Sequence, residues 1–152
     1  LVIQLKSRSP QVIRLVAAYT TPFRVIGANG KLPWRYEEDL HRFRMCVEHS
    51  ILVGGPKTLK EVAFLKQETI PVHRDTDWEV IADIGEHHNL SIIGGEAVFA
   101  AGIHYAKVLH LTEITKFYDG DRFFPVIPKE FQCVSRIQSS QNPDLIFSKW
   151  RR

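Results

Sequence analysis

Cysteine is nearly absent: Cys46 and Cys133 are the only two in 152 residues. They lie far apart and neither forms a CxxC pair. A disulfide scaffold and a zinc site are therefore not expected, and a reducing cytoplasm is the natural compartment. Also missing is any run of about eighteen apolar residues, so no membrane span is expected. The segment Leu1 to Pro10 lacks an apolar central region and a small-residue cleavage site, which argues against a signal peptide. One-sided charge is lacking too, with 20 Lys and Arg against 17 Asp and Glu for a formal net charge of +3. The cations are interleaved with acids, and neither a basic helix face nor a nucleic-acid motif stands out. A mildly basic surface with no nucleic-acid partner is expected, with room for a small anionic ligand. Residues 1–11, "LVIQLKSRSPQ", begin without Met and are expected to be a leader or remnant outside the fold. Residues 12–152 are the size of one domain with its own core.

What is present is an alternation of short apolar runs and amphipathic segments. "QVIRLVAAYT" is β-branched and apolar, which predicts a buried strand. A loop from Thr21 to Trp34 follows, punctuated by Pro22, Gly27, Gly30 and Pro33. From Arg35, the spacing of Tyr36, Leu40, Phe43 and Val47 predicts an amphipathic helix of about three turns. "SILVGG" predicts a second strand, and "PKTLKEVAFLKQ" a helix with Pro56 at its start, where a missing N–H does no harm. "TIPVHR" predicts a third strand, and "DWEVIADIGE" a short helix stopped at Gly85. "LSIIGG" and "KVLHLTEIT" are further strands, separated by the helix "EAVFAAGI". The tail holds "FQCVSRIQ" and "LIFSKW", joined by the polar turn "SSQNPD", a hairpin signal. The expected fold is α/β: a central, mostly parallel sheet with helices on both faces and a C-terminal antiparallel hairpin at one edge.

Two strands end in glycine pairs, Gly54-Gly55 and Gly94-Gly95, and each pair opens into a helix. Free N–H groups and the helix dipole at such openings favour a pyrophosphate, while the same glycines also serve as plain tight turns. Lys57, Thr58, His73 and Arg74 follow strand ends and are candidate partners for phosphate oxygens. Among the acids, Asp39 lies three residues after Tyr36 and four before Phe43, on the face of both rings. A carboxylate there is either desolvated and in need of donors, or an ordinary first-turn acid partly in water. Glu37 and Glu38 are expected to face water. His87 and His88 are expected to be a solvated loop pair.

The run "VIGANGKLPWRYEEDLHRF" resembles the active-site segment of the dihydrofolate reductase family. The matching residues are Ile26, Gly27, Leu32, Pro33, Trp34, Asp39 and Phe43. "IRLVAA", "GGPKT", "IIGGEAVF", "LHLTEI" and "GDRFFP" follow the family in order, so the likeness spans about residues 12 to 150.

The resemblance implies a monomeric, cytoplasmic enzyme reducing 7,8-dihydrofolate with NADPH. Asp39 would hold the pterin amino group and N3 and support protonation of N5. Leu32 would sit on a loop closing over the nicotinamide, Trp34 beside the pterin, and Thr112 would reach Asp39 or the pterin through a water. Val16, Ala17, Leu40, Phe43 and Val62 would form the apolar substrate walls. The cofactor site would take Ala18, the loop Val25, Ile26, Gly27, Ala28, Asn29, Gly30 and Lys31, then Lys57 and Thr58. It would also take the turn Ile93, Gly94, Gly95, Glu96, Ala97, Val98 and Phe99, with His73 and Arg74 near the adenosine 2′-phosphate. The same fold also serves the reductase of riboflavin synthesis, which would not be expected to keep Leu32-Pro33-Trp34 with Asp39; a non-catalytic pterin-binding module is a further alternative.

The likeness has gaps. Pro56 stands where the family has an Arg for cofactor phosphate, beside Lys57. Leu59 replaces a Trp, and Ala97 a frequent basic residue. The Pro-Leu-Pro-Gly-Arg segment, whose Arg grips the folate glutamate, has no counterpart between Lys60 and Ile70, where Lys66 is a nearby cation. A weak requirement for the glutamate tail is therefore expected.

Overall fold

The computed structural model describes residues 11–152. The expectation for residues 1–11 falls, apart from Gln11, outside the described residues.

Strand β1 (Ile13–Thr20) is buried on both sides, and its alternation assigns each side chain to a different core. Leu15, Ala17 and Tyr19 join a large cluster with Ile81, Val98, Phe99 and Ile103. Val16 faces a smaller one with Val47, Leu52, Leu59 and Ile93. The same division separates Leu52 from Val53 in β3 (Ile51–Gly54) and Ile92 from Ile93 in β5 (Leu90–Gly94). Each fully buried aliphatic side chain contributes roughly 1.5–3 kcal/mol, so a slip of one residue would place every side chain in the wrong core.

Helices α1 (Glu37–Val47) and α2 (Pro56–Glu61) supply the smaller cluster. The larger cluster takes α3 (Trp78–Gly85) and α4 (Glu96–Gly102). Helices thus cover both faces, as expected. With β4 (Thr69–Pro71), β6 (Val108–Ile114), β8 (Gln132–Gln138) and β9 (Leu145–Arg151), the sheet runs β4-β3-β5-β1-β6-β9-β8. The pairs β3–β4, β3–β5, β1–β5 and β1–β6 are parallel, while β6–β9 and β8–β9 are antiparallel. The hairpin therefore closes one edge. The chain leaves β1 toward β3 on one side and returns to β6 on the other, so the carboxyl ends of β1 and β5 mark the topological switch where α/β folds bind ligands.

Three expectations change. The loop after β1 contains a short strand, β2 (Val25–Gly27), paired antiparallel with β7 (Arg122–Phe123). A Cβ at Gly120 would overlap Val25 and the Gly27 carbonyl, so the acidic turn lies against the loop only because residue 120 has no side chain. The helix expected over 56–67 stops at Glu61, continues as a 3-10 turn (Ala63–Leu65), and ends at Lys66 with φ of 56°. Gln67 then turns inward, its Nε2 donating to the carbonyls of Val47 at 2.9 Å and Ser50 at 2.8 Å. The strand expected over 69–74 ends at Pro71, leaving His73 and Arg74 in an exposed turn. Among the described residues, no helix is long and apolar enough to cross a membrane.

Candidate active site

Three acids occupy the first turn of α1, where the helix dipole favours them, and they diverge by 100° per residue. Glu37 is exposed and pairs with Arg35 at 2.7 Å. Glu38 does not face water as expected: it is half-buried and accepts a 2.6 Å hydrogen bond from Ser139 Oγ. The reason is tertiary, since buried Ser139 in the hairpin loop brings its hydroxyl to this flank of the helix. Asp39 turns inward, as its spacing suggests.

Sheet register sets what Asp39 meets. Ala18 on β1, Thr112 on β6 and Phe147 on β9 lie abreast. Thr112 is buried, and its Oγ1 donates directly to Asp39 Oδ1 at 2.6 Å, where a water-mediated link was expected. Among the described residues no side chain or backbone group donates to Asp39 Oδ2, which is not sealed from solvent. One oxygen is thereby held by the protein and the other is left open. Burial raises the Asp39 carboxyl above the ordinary carboxylate range, the Thr112 hydrogen bond and the Arg42 charge oppose it, and Glu38 adds to it.

The apolar residues divide. Phe43 and Val62 pack partly buried against Val16, Val47 and Leu52, so these form a continuous surface beside Asp39's helix, and Leu40 is half-buried one position on. Ala17 points into the opposite core, leaving only its backbone on the Asp39 side of the sheet. Trp34 is buried against Val25, Ile114 and Leu145 and lies edge-on to Tyr118, with ring centroids 5.5 Å apart. Leu32, two residues earlier, is 57% exposed. An apolar side chain so exposed, anchored by a buried Trp, suits a loop edge that buries itself on a ligand.

On the other side of the switch, β3 and β5 deliver their glycines next to each other, and Gly55 N donates to the Gly94 carbonyl at 2.8 Å. The Gly94-Gly95 peptide is cis, and Gly94 has φ of 125°, a backbone region hostile to side chains. A Cβ at Gly95 would meet no atom within 4 Å, so its small size leaves open space rather than relieving an internal contact. Pro56 and Glu96 begin α2 and α4 there. Thr58 is half-buried alongside, and Lys57 Nζ donates to the Gly30 carbonyl. The tip of the preceding loop, Ala28 to Lys31, is a tight turn with Asn29 at φ 51° and Gly30 at 77°, closed by hydrogen bonds of 2.8 and 3.0 Å. Val25 and Ile26 anchor its stem.

Of the remaining candidates, Ile93, Val98 and Phe99 are buried core side chains, Ala97 is exposed, and Glu96 accepts from the Phe123 amide at 2.6 Å. His73 and Arg74 lie beyond β4, one strand farther out than the Gly54-Gly55 turn. An open cradle lined by backbone amides, with Lys57 and Thr58 at its edge, fits a dinucleotide phosphate.

Sequence reading missed Arg42, one turn beyond Asp39. Its Nη1 donates to Thr112 Oγ1 at 3.1 Å and to the Leu111 carbonyl at 3.3 Å, its Nη2 to the Ser148 carbonyl at 3.4 Å, and its guanidinium lies 4.8 Å from the Phe147 ring centroid. The i, i+3 spacing from Asp39 was the available signal. On this flank of α1, away from Phe43, a groove of about 520 Å³ is lined by Arg14, Glu38, His41, Arg42, Met45, Cys46, His110 and Phe147. Among the described residues no group of three or more His, Cys, Asp or Glu is placed to hold a metal.

The family model described as dihydrofolate reductase matches residues 12–152. The chain is 27% identical to the dihydrofolate reductase of Staphylococcus haemolyticus over 148 residues, covering 85% of this chain and 89% of that one. It is 28% identical to dihydrofolate reductase type A13 of Escherichia coli over 145 residues, covering 84% and 87%. A solved structure of dihydrofolate reductase from Enterococcus faecalis, complexed with NADP(H) and RAB-propyl, shares the fold with a TM-score of 0.80 at 24% identity, covering 94% of this chain and 97% of that one. Residues 12–152 take in the loop of Leu32, the acid at Asp39, both glycine turns and Thr112, and this chain belongs to the dihydrofolate reductase family.

Proposed function

We propose that the chain reduces 7,8-dihydrofolate to 5,6,7,8-tetrahydrofolate with NADPH, acting as a cytoplasmic monomer without a nucleic-acid partner. The observation that carries this reading is the Asp39 carboxyl, fixed through Oδ1 by Thr112 and accessible at Oδ2 beside an apolar wall.

A pterin presents an amino group and a ring N–H side by side, and an anchored carboxylate meets such a pair of donors with charge-assisted hydrogen bonds. Asp39 orients the ring, and its negative charge raises the basicity of N5, which must gain a proton as C6 gains a hydride. Bound NADPH supplies that hydride. The backbone at Gly94-Gly95, with Lys57 and Thr58, would hold its phosphates, and His73 and Arg74 would take the 2′-phosphate. Phe43, Val62 and Val16 would pack on the substrate's apolar body, with Leu40 beside them. Leu32 would close over the reacting atoms and exclude water, with Trp34 as the fixed point of the loop.

Following NADPH oxidation by absorbance with dihydrofolate present tests the reading. Turnover in the native chain, lost roughly a hundredfold or more in Asp39→Asn near neutral pH, is the expected result. No turnover in the folded native chain, or full turnover in the Asn variant, would overturn it.

A further inference from the structure

Resting on the reading of Asp39 as the acid of the reaction, we infer that Arg42 is a positioning residue, which from the flank of α1 away from the cleft aims the Thr112 hydroxyl at Asp39 and balances its charge.

The geometry is directional. A threonine hydroxyl has one hydrogen and two lone pairs. Arg42 has no acceptor atoms, so its Nη1 contact of 3.1 Å occupies a lone pair of Thr112 Oγ1. The hydroxyl hydrogen is then the group that meets Asp39 Oδ1 at 2.6 Å. The chain Arg42 to Thr112 to Asp39 runs donor to acceptor throughout and ends on a carboxylate, the form that accepts without offering a proton.

The guanidinium has no freedom to drift. The Leu111 and Ser148 carbonyls each accept from it, and the Phe147 ring packs beneath it, so its charge has a fixed place about one helical turn from Asp39. Among the described residues no carboxylate forms an ion pair with Arg42. Its positive charge is therefore not neutralised locally and is felt at Asp39.

Other charges face this region. On α1 these are Glu38, His41 and Cys46; on β1, Arg14; on β6, His110; on β9, Lys149 and Arg151. Glu38 opposes ionisation of Asp39. Burial first, then Arg42, Arg14, Lys149 and Arg151, push His110 down to about 4, so it stays neutral through the neutral range and does not mask Asp39. Cys46 is raised by burial and does not ionise there either. Arg14, Lys149 and Arg151 lie on the same face but make no hydrogen bond to Thr112.

The test follows the Asp39 carboxyl itself, by carbon-detected NMR titration of the ligand-free chain, assigned with Asp39→Asn. In Arg42→Met the Asp39 midpoint should move up by about one pH unit, the scale of one nearby charge. Arg42→Lys, which keeps the charge and loses the fork, should move it less, and Lys149→Met should leave it in place. The pH profile of kcat/KM should shift with the NMR midpoint. An unmoved midpoint in folded Arg42→Met and Arg42→Lys overturns the inference, as does an equal shift in Lys149→Met. Because the titration needs no turnover, an inactive chain would refute the reductase reading without touching this result.

Discussion

Ser139 Oγ lies 2.6 Å from Glu38 Oε1 and donates to it, joining the first turn of α1 to the loop between β8 and β9. The same hydroxyl oxygen accepts from the amides of Gln141 at 3.1 Å and Asn142 at 3.0 Å. Three polar groups therefore depend on one buried oxygen. Ser139→Ala should destabilise the fold by about 1–3 kcal/mol, measured by denaturant unfolding. A loss below about half a kcal/mol would show that water replaces the hydroxyl without penalty.

Asp39 should make the fold's stability depend on pH in an unusual direction. A carboxyl whose folded value is raised favours the fold while protonated; that contribution is complete below the unfolded value and is lost as pH rises through the raised one. Asp39→Asn cannot ionise and escapes the loss. Its melting temperature relative to the native chain should climb as pH rises above about 4, the ordinary unfolded value, toward the raised folded one. A gap that stays flat over that range would contradict the desolvation of this carboxyl.

The neighbouring glycines should respond differently to alanine. At Gly94, φ of 125° and Phe99 ring atoms 3.2 Å from the Cβ position make the substitution costly, about 1–3 kcal/mol of stability. At Gly95 the Cβ enters open space, so Gly95→Ala should fold normally. Its NADPH dissociation constant, read by fluorescence titration, should rise about tenfold or more, because the methyl occupies the phosphate cradle. Native affinity in Gly95→Ala would move the cofactor elsewhere.

The far end of the substrate should matter less than usual. In the segment where the family's carboxylate-gripping Arg is expected, the side chain that turns inward is Gln67, and its amide is spent on the Val47 and Ser50 carbonyls. Lys66 is exposed. Removing the glutamate tail from the substrate should lower kcat/KM about tenfold less here than in a relative that has the Arg, since one charge-assisted pair is absent. Equal losses in the two enzymes would refute this.

Strands β1, β3, β5 and β6 were legible because burial on both faces leaves an apolar run that local sequence displays, and the glycine pairs because a strand must stop before a helix starts. Two-residue β7 left no such trace; its pairing with β2 depends on the missing side chain of Gly120, a contact made across the fold. The break after Glu61 was hidden for a related reason, since Gln67 is drawn toward carbonyls at the end of α1. At the site, helical spacing revealed which way Asp39 points. It could not name the partner 73 residues away, nor show that Glu38 has one 101 residues away.

Those long separations bear on when activity can arise during synthesis. Residue 39 emerges early, yet what holds its helix lies at residues 112, 139 and 148. β9 also sits inside the sheet, between β6 and β8, so the scaffold behind the acid closes only with the last strand. A growing chain on the ribosome can form its early helices and strands, but it carries an unplaced acid until β9 has been released.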